Sequence, residues 1–304
     1  MKVLITGACG YLGGTLPDCF AAKGHQPIAL IRSQESIGKL SSYAEVRAGN
    51  LSDEAYLFRA MEDIDVVVHL AGRKGYRECE ERPYEAVVSN VLFTERLTRA
   101  GGRRRIPFLL ASTYWVYGIG APPPFRESLP PAPCEVYGWT KALAEKIVIG
   151  SGLPFKIVRL SNVFGFGKGA REDEVVSLFL KKAIRGEPIR LHNAGRHRID
   201  LLFIDDACRV LAEVAERGAH NRILNLGSGR GTSIAELACV VDEISERNAG
   251  KKPEIIVGGP EDDPVQCADR WMDIRLIQET LDFTPTPLPA AVEKFYRTLC
   301  GLDA

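Results

Sequence analysis

A tyrosine and a lysine stand four residues apart in the segment YGWTK, at Tyr137 and Lys141. On a helix this spacing places both side chains on one face. A phenol with an ordinary pKa of about 10 is a poor base at neutral pH, whereas a neighbouring ammonium group stabilises the phenolate. The pair therefore predicts a tyrosine whose pKa is tuned for proton transfer.

Glycines cluster near the start of the chain, in LITGACGYLGGTL at residues 4–16. They follow a strand-like apolar run and precede a helical pattern, which is the setting of a dinucleotide-binding turn. Gly7 allows a tight turn, Gly10 lets the backbone approach a pyrophosphate, and Gly13 lets the helix lie close to the strand. The amino terminus of that helix is expected to hold the phosphates.

Strand-like and helical segments alternate through the first two thirds of the chain. The predicted strands are residues 2–6, 27–32, 45–48, 65–70, 108–112 and 155–159, with amphipathic helices such as 12–23 and 84–99 between them. Strands that are apolar along their whole length are typical of a parallel sheet covered on both faces. The sequence therefore predicts an α/β fold with a doubly wound, Rossmann-like parallel sheet.

The pattern changes after residue 159, where a glycine-rich segment at 162–173 precedes a predicted helix at 175–185 and a short strand at 189–191. We interpret this change as a smaller carboxyl-terminal substrate lobe. The predicted division assigns residues 1–165 and 199–227 to a dinucleotide-binding domain and residues 166–198 and 228–304 to the substrate-binding lobe.

Composition excludes several classes of function. The 304 residues include 39 Lys and Arg and 39 Asp and Glu, so no net charge attracts nucleic acid or a membrane surface. The eight cysteines form no CxxC pair, and no metal site is expected. Neither a signal peptide nor a membrane-spanning stretch is apparent, and we expect a cytoplasmic protein with reduced thiols.

Several motifs together resemble the extended branch of the short-chain dehydrogenase/reductase superfamily. The resemblance extends over nearly the whole chain, and the carboxyl-terminal motifs resemble the sugar-nucleotide members. The motifs are TGxxGxxG at 6–13, HLAG at 69–72, STYWVYG at 112–118, YGWTK at 137–141, RLSNVFGFG at 159–167, RIDLLFIDD at 198–206 and NLGSGRGTSIAELA at 225–238.

The resemblance implies catalytic roles for three residues. Tyr137 would exchange a proton. Lys141 would tune the pKa of Tyr137 and hold the nicotinamide ribose. Thr113 would orient the substrate hydroxyl or carbonyl. Hydride would pass to or from a nicotinamide. Ser112, which precedes Thr113, is an alternative for the orienting role.

The nature of the nicotinamide cofactor depends on the end of the second strand. An acidic residue about 20 positions after the glycine turn binds the ribose of NAD, but Arg32 stands there and suits a 2′-phosphate. NADP(H) is therefore favoured over NAD(H), although members with this pattern use either. Asn50 and Leu51 replace the acid that the family usually carries beside the adenine. The expected cofactor-binding residues are Gly7, Cys9, Gly10, Tyr11, Leu12, Arg32, Asn50, Leu51, Leu70, Ala71, Gly72, Tyr137 and Lys141.

Sugar-nucleotide dehydratases of this family carry Asp-Glu directly after the catalytic hydroxyl residue, because elimination of water requires an additional acid and base. Tyr114 and Trp115 occupy these positions here. Dehydration is therefore disfavoured, as is the related decarboxylation. Alcohol oxidation, carbonyl reduction and epimerisation remain.

The resemblance places substrate contacts in the second half of the chain as well. Asn162 and Arg198 match positions near the substrate diphosphate. The family's later arginine is missing, and acidic residues at 261–263 stand there unless Arg270 substitutes. The expected substrate-binding residues are Thr113, Tyr114, Asn162 and Arg198.

These observations predict an NAD(P)-dependent enzyme acting at a secondary alcohol or ketone, namely C4 of a nucleotide-linked sugar, as a 4-epimerase or a 4-ketoreductase. One alternative is an NADPH-dependent reductase of a non-sugar carbonyl compound. Another is an NADP(H)-sensing regulatory protein without turnover. The resemblance also implies a homodimer formed through two helices, one of which carries Tyr137 and Lys141.

Overall fold

The computed structural model of the chain describes residues 1–33, 40, 42–167, 174–217, 220–258, 264–265 and 267–302. Its strands are β1 (Lys2–Thr6), β2 (Gln26–Ile31), β3 (Glu45–Ala48), β4 (Val66–His69), β5 (Phe108–Thr113), β6 (Phe155–Leu160), β7 (Asn162–Phe164), β8 (Ile189–Leu191), β9 (Arg198–Ile199), β10 (Leu201–Phe203), β11 (Arg222–Leu226), β12 (Thr232–Ser233) and β13 (Ile255–Val257). Its α-helices are α1 (Leu16–Ala21), α2 (Glu54–Ala60), α3 (Tyr76–Glu81), α4 (Pro83–Val87), α5 (Phe93–Gly102), α6 (Val136–Gly150), α7 (Val175–Arg185), α8 (Ile204–Glu216), α9 (Ile234–Ala249), α10 (Arg275–Leu281) and α11 (Leu288–Leu299).

Seven of the strands form one sheet in the order β11-β6-β5-β4-β1-β2-β3. Every pairing within it is parallel; Val3, for example, lies opposite Pro27 on one side and Val66 on the other. The winding direction reverses between β1 and β4, so the carboxyl ends of these strands border a crevice. The predicted doubly wound parallel sheet is confirmed, and the six predicted strands agree with the observed bounds to within one residue.

Helices cover both faces of the sheet, and alternate residues of each strand point to opposite faces. In β1, Val3 and Ile5 lie in a core cluster with residues of α1 and α8, whereas Leu4 lies in a second cluster with residues of α2 and α5. All three side chains are fully buried. Burial on both faces is the reason that the strand sequences lack polar alternation.

Two predicted helices differ from the observed ones. The segment 12–23 is helical only over α1, because Gly13 belongs to the turn that precedes it. The segment 84–99 is not one continuous α-helix, because a π-helical turn, Val88–Leu92, separates α4 from α5. Such turns are frequent at functional sites. This one places Asn90 against α6, where Asn90 Nδ2 donates to Thr140 Oγ1 at 2.9 Å.

A buried ion pair fixes α6 to the sheet. Glu145 on α6 accepts hydrogen bonds from Arg159 Nη2 on β6 at 2.7 Å and from Ser112 Oγ on β5 at 2.5 Å. The side chains of Arg159 and Glu145 are 1% and 2% exposed. Arg159 also stacks over the ring of Tyr117, with 4.7 Å between its Cζ atom and the ring centroid. The pair therefore sets the position of α6 relative to the carboxyl end of β5.

The second half of the chain adds two-stranded sheets outside the main one. β7 pairs with β10, β9 with β12, and β8 with β13. The predicted bounds of α7 and β8 agree with the structure. Within the described part of the chain, every helix is too short or too polar to span a membrane. The division into two domains stays a prediction.

We expect Glu145→Ala to lower the free energy of unfolding by about 3–5 kcal/mol, because the Arg159 guanidinium would remain buried without its counter-charge. Urea denaturation measures the difference. Glu95→Ala is the control, because Glu95 is 39% exposed in its ion pair with Arg99, and it should change stability much less. Equal losses in the two variants would contradict the role of Glu145 as the buried anchor.

Candidate active site

Close backbone contacts shape the glycine turn after β1. Gly7 has a φ of 71°, and a Cβ atom there would lie 2.7 Å from the backbone nitrogen of Ala71. A Cβ atom on Gly13 would lie 2.8 Å from the Cα atom of Ala8. Gly10 is exposed, and a Cβ atom there would meet only the backbone oxygen of Gly7, at 3.1 Å. The fold itself therefore requires glycine at two positions, whereas Gly10 leaves the outer surface of the turn open.

The outer surface of this turn fits the phosphates of a dinucleotide. The Gly14 N–H donates to the backbone oxygen of Gly10 at 2.8 Å, so the backbone is already helical there. Among the described residues, no oxygen accepts the N–H of Tyr11 or Leu12. Free N–H groups at the start of a helical turn form a site for anionic oxygens. Tyr11 is held at the edge of this site, because its hydroxyl donates to the backbone oxygen of Gly165 at 2.7 Å.

A chain of buried hydrogen bonds holds the segment after β4 beside the glycine turn. Thr6 Oγ1 lies 2.6 Å from Nδ1 of His69 and accepts the N–H of Ala71 at 3.1 Å. His69 Nε2 lies 2.9 Å from Thr94 Oγ1. Burial lowers the pKa of His69 to about 3, so the imidazole is neutral at physiological pH. The remaining predicted cofactor residues of this crevice are partly buried or exposed: Cys9, Leu12, Leu70, Ala71 and Gly72.

Thr113 and Tyr137 converge at the carboxyl end of β5. Thr113 is the last residue of this strand and is 5% exposed, and its side chain lies near enough to that of Tyr137 to influence the pKa of the phenol. Burial raises the pKa of Tyr137 above its ordinary value, and the hydrogen bond with Thr113 opposes this increase. Ser112, the alternative orienting residue, donates its hydroxyl to Glu145 instead. The structure therefore favours Thr113 over Ser112.

Lys141 lies one turn further along α6 and is buried. Its Nζ donates to the backbone oxygen of Ala111 at 2.5 Å. Burial lowers the pKa of Lys141 to about 8, opposed by the negative charge of Glu145. Apart from burial, the largest influence on the pKa of Tyr137 is its hydrogen bond with Thr113, not the charge of Lys141. The tuning of the Tyr137 pKa by Lys141 that the four-residue spacing predicts stays a prediction.

Two carboxylates that sequence reasoning missed cap α6. Glu135 is 2% exposed and accepts the N–H groups of Tyr137 at 2.7 Å and Gly138 at 2.5 Å. Glu80 Oε1 accepts the N–H of Val136 at 2.9 Å. The usual helix caps are Ser, Thr, Asp and Asn, so a glutamate at this position gives little signal in a sequence. Both contacts hold the first turn of α6, which carries Tyr137.

The structure separates the predicted substrate-binding residues. The hydroxyl of Tyr114, a residue that is 1% exposed, forms a hydrogen bond with the side chain of Asn162. Arg198 is exposed, because the next residue of β9, Ile199, points into the core. The backbone N–H of Arg198 donates to Asp269 Oδ1 at 2.7 Å. Tyr114 and Asn162 therefore lie together near Tyr137, and Arg198 lies at the surface.

The residues predicted to bind the adenine half lie at the other edge of the sheet. Arg32 directly follows β2 and is exposed. Asn50 Oδ1 accepts the N–H of Ser52 at 2.9 Å, so this side chain stabilises a local turn. Asp53 caps α2, and Leu51 packs against the core. Arg32 is therefore available to a ligand, whereas Asn50 is engaged locally.

Comparisons with known proteins agree with this geometry. A family model described as the NAD-dependent epimerase/dehydratase family matches residues 3–227. The chain belongs to this family. It is 27% identical over 265 residues to UDP-N-acetyl-alpha-D-glucosaminuronate decarboxylase from Bacillus cytotoxicus, covering 82% of this chain and 81% of that protein. It is 25% identical over 290 residues to dTDP-L-rhamnose 4-epimerase from Burkholderia thailandensis, covering 79% and 80% of the two chains.

The fold of this chain is similar over its whole length to a solved structure of MoeE5 in complex with UDP-glucuronic acid and NAD. The TM-score is 0.85 at 27% identity, and the match covers 99% of this chain and 100% of that chain. The resemblance to extended short-chain dehydrogenase/reductases is thus confirmed. As a member of the NAD-dependent epimerase/dehydratase family, the chain is an enzyme that uses a nicotinamide cofactor.

The lowered pKa of Lys141 makes the stability of the cofactor-free enzyme depend on pH. Between about pH 8 and the ordinary value of 10.5 the unfolded state binds more protons at this residue than the folded state, so stability rises with pH there. Relative to Lys141→Met, the wild type should gain up to roughly 3 kcal/mol across this window. Urea denaturation at about pH 7.5, 9 and 10.5 measures the gain. Lys146→Met, which removes an exposed lysine of α6, is the control; parallel curves for wild type and Lys141→Met would contradict the prediction.

Proposed function

We propose that this enzyme interconverts the two configurations at C4 of a nucleotide-linked sugar. The observation that carries the proposal is the convergence of Thr113, Tyr137 and Lys141 at the carboxyl end of β5: Thr113 ends this strand, and α6, which carries Tyr137 and Lys141, is joined to the strand by the bond from Lys141 Nζ to the backbone oxygen of Ala111. One hydroxyl that positions the reacting oxygen and one phenol that exchanges its proton are sufficient to oxidise a secondary alcohol and to reduce the ketone from its other face. A bound nicotinamide supplies the hydride acceptor and donor.

Each polar group near β5 has a defined task in this proposal. Thr113 holds the C4 oxygen of the sugar. Tyr137 accepts the proton of the C4 hydroxyl during oxidation and returns it during reduction. Lys141 contributes a buried positive charge and binds the nicotinamide ribose, as the family resemblance implies. The free N–H groups of Tyr11 and Leu12 bind the pyrophosphate of the cofactor.

The residues after Thr113 support epimerisation over elimination. Tyr114 and Trp115 stand where a dehydratase needs an additional acid and base, and neither side chain can act as a carboxylate. Both are held in place by contacts within the protein. The side chain of Tyr114 interacts with that of Asn162. The ring of Trp115 stacks on that of Tyr76 with 6.1 Å between centroids. Such a site is suited to reactions that Tyr137 and the nicotinamide carry out without further proton donors.

We expect Tyr137→Phe to reduce the rate of C4 epimerisation by about 10²- to 10⁴-fold with little change in KM, because the general acid and base is lost and the substrate contacts remain. Proton NMR of reactions started from UDP- and dTDP-linked glucose, galactose and glucuronic acid measures the epimer ratio. Tyr84→Phe is the control, because Tyr84 is 78% exposed. An unchanged rate in Tyr137→Phe would contradict the proposed mechanism, and no epimer from any of these sugars would contradict the proposed reaction.

A 4-ketoreductase that exchanges NADPH is the second candidate, favoured by the exposed Arg32 after β2. A guanidinium group at this edge suits a ribose 2′-phosphate, because in dinucleotide-binding folds the ribose lies near the end of the second strand. The preference for NADP(H) over NAD(H) is part of this candidate. Net oxidation of NADPH in the presence of a 4-keto sugar nucleotide distinguishes a reductase from an epimerase, which retains its cofactor.

Arg32→Ala should weaken NADPH binding by about 10- to 100-fold and leave NADH binding unchanged, because only NADPH carries the 2′-phosphate. Fluorescence titration of the cofactor-free protein with each nucleotide measures both affinities. Arg59→Ala removes another exposed arginine and serves as the control. If the ratio of the two affinities is the same in wild type and Arg32→Ala, NADP(H) preference is excluded.

Further parts of the proposal concern the assembly and the setting of the enzyme. A homodimer is supported by exposed apolar side chains on one face of α6, where Trp139 is 51% and Leu143 is 52% exposed. Leu92, in the neighbouring π-helical turn, is 42% exposed and adds to this surface. A monomer in sedimentation velocity would exclude the dimer. We also propose that the enzyme is cytoplasmic and that it consists of a dinucleotide-binding domain and a substrate-binding lobe.

A further inference from the structure

A cavity of about 130 Å³ lies at the amino ends of β6 and β11, where Lys156 and Arg222 line it. Thr113 lies opposite Leu160, the last residue of β6. Lys156 precedes Leu160 by four residues, which corresponds to about 13 Å along the strand. The cavity is therefore at the opposite end of the sheet from the candidate active site.

Three basic residues meet at one end of this cavity. Lys156 and Arg222 lie directly opposite each other in the parallel pairing of β6 and β11, so their backbones are about 5 Å apart. Arg217, the residue after α8, also lines the cavity, and its backbone oxygen accepts a hydrogen bond from Lys156 Nζ at 2.5 Å. Like charges on opposite residues of neighbouring strands destabilise a sheet. An anion bound between them removes this repulsion.

Lys156 and Arg222 have no carboxylate partner among the residues that the structure describes. Lys156 is 5% exposed, and its ammonium group donates to the backbone oxygens of Val214 and Arg217, each at 2.5 Å. Burial lowers the pKa of Lys156. An ammonium group has three donors, so one is left for a ligand. Arg222 is exposed and forms no hydrogen bond or ion pair with another described residue.

The carboxylate nearest to Arg217 in sequence is bound elsewhere. Glu216 lies 3.9 Å from Arg217 Nε, whereas it lies 3.0 Å from Lys23 Nζ. The side chain of Arg217 is 69% exposed, so a pair at the longer distance contributes little. The positive charge at this end of the cavity is therefore available to an anion.

The rest of the cavity wall is mainly apolar. Val214 and Leu224 are buried, and Leu276 and Leu281 of α10 are half-buried. An apolar cavity of about 150 Å³ holds a benzene molecule, so this cavity has room for an aliphatic chain of about five carbons. An inorganic anion would meet the charges but leave the apolar wall in contact with water. The wall therefore favours a ligand that has both a charge and an apolar body.

We propose that this cavity is a second ligand site, which binds a small monocarboxylate with an apolar body. The carboxylate lies between Lys156, Arg217 and Arg222 and accepts charge-assisted hydrogen bonds from them. The apolar body packs on Leu224 and Leu276. Binding at this site does not depend on the reaction that the enzyme catalyses.

Isothermal titration calorimetry of the full-length protein with hexanoate, hexanol, acetate and inorganic phosphate tests the site. Hexanoate should bind with a Kd of about 0.1–1 mM, and each of the other three should bind at least about tenfold more weakly, because each lacks the charge or the chain. An excess of UDP should leave the affinity for hexanoate within about threefold, because a nucleoside diphosphate is expected at the other end of the sheet.

Arg222→Gln should weaken hexanoate binding by about three- to tenfold, because one charged contact is lost at an exposed position. Lys156→Met should weaken it by about 10- to 100-fold, because the ammonium group is buried. Arg190→Gln removes an exposed arginine from another strand and is the matched control, which should bind hexanoate like the wild type. Arg222→Gln keeps the test decisive if Lys156→Met does not fold.

Four results would overturn the inference. Equal binding of hexanoate and hexanol would exclude a role for the charges. Phosphate binding as tight as that of hexanoate would make the cavity a site for inorganic anions. Loss of hexanoate binding in the presence of UDP would place the ligand in the candidate active site. Unchanged affinity in Arg222→Gln, or no binding of hexanoate by the wild type at about 10 mM, would exclude the site. None of these results bears on epimerisation, which the sugar-nucleotide reactions test separately.

Discussion

The buried ion pair between Glu145 and Arg159 determines where α6 lies, and the active site depends on that position. Glu145 joins α6 to both β5 and β6, because it accepts hydrogen bonds from Ser112 as well as from Arg159. Adjacent residues of a strand point to opposite faces. Ser112 therefore points toward Glu145, whereas Thr113 points toward the candidate active site. Tyr137 lies eight residues, or about two helical turns, before Glu145 on the same helix. A shift of the anchor would therefore separate Tyr137 from Thr113.

The amino end of α6 is held by a second set of contacts that complements this anchor. Glu135 and Glu80 cap its first turn, and Asn90 from the π-helical turn bonds to Thr140 one turn later. Tyr137 therefore lies between two fixed points. The proton-transfer role proposed for Tyr137 requires rigid placement of this kind, because small displacements from a productive geometry reduce rates strongly.

Buried positive charge is common to the parts of the site that would receive anions. Lys141 and Arg270 are both buried, and both donate to backbone oxygens and not to an acid. His69, which is joined through Thr6 to the segment beside the glycine turn, is neutral because burial lowers its pKa. A dinucleotide and a sugar nucleotide each carry a diphosphate, so a site with buried cations is suited to them. The negative charges of Glu145 and Glu135 offset part of the cost of burying Lys141 and Arg270.

Most of the fold follows from local sequence patterns, because doubly buried strands have a distinctive apolar composition and their bounds vary little. The 84–99 segment was harder to predict, since its π-helical turn carries Asn90, whose hydrogen-bond partner Thr140 lies fifty positions along the chain. The proposed roles of Tyr137, Lys141 and Thr113 could be stated from motifs and family resemblance. The choice of Thr113 over Ser112 could not, because it depends on the distant Glu145.

The amino-acid sequence alone determined the strand–turn–helix at Gly7 to Gly13, the parallel sheet and the segment that carries Tyr137 and Lys141, since each depends on residues close together in the chain. Tertiary structure decided which hydroxyl of β5 lies near Tyr137, where the Lys141 ammonium binds, and that Arg270 lies over the ring of Trp115. These outcomes depend on pairs far apart in sequence. Their energies come from burial and charge compensation, which exist only once the chain is folded.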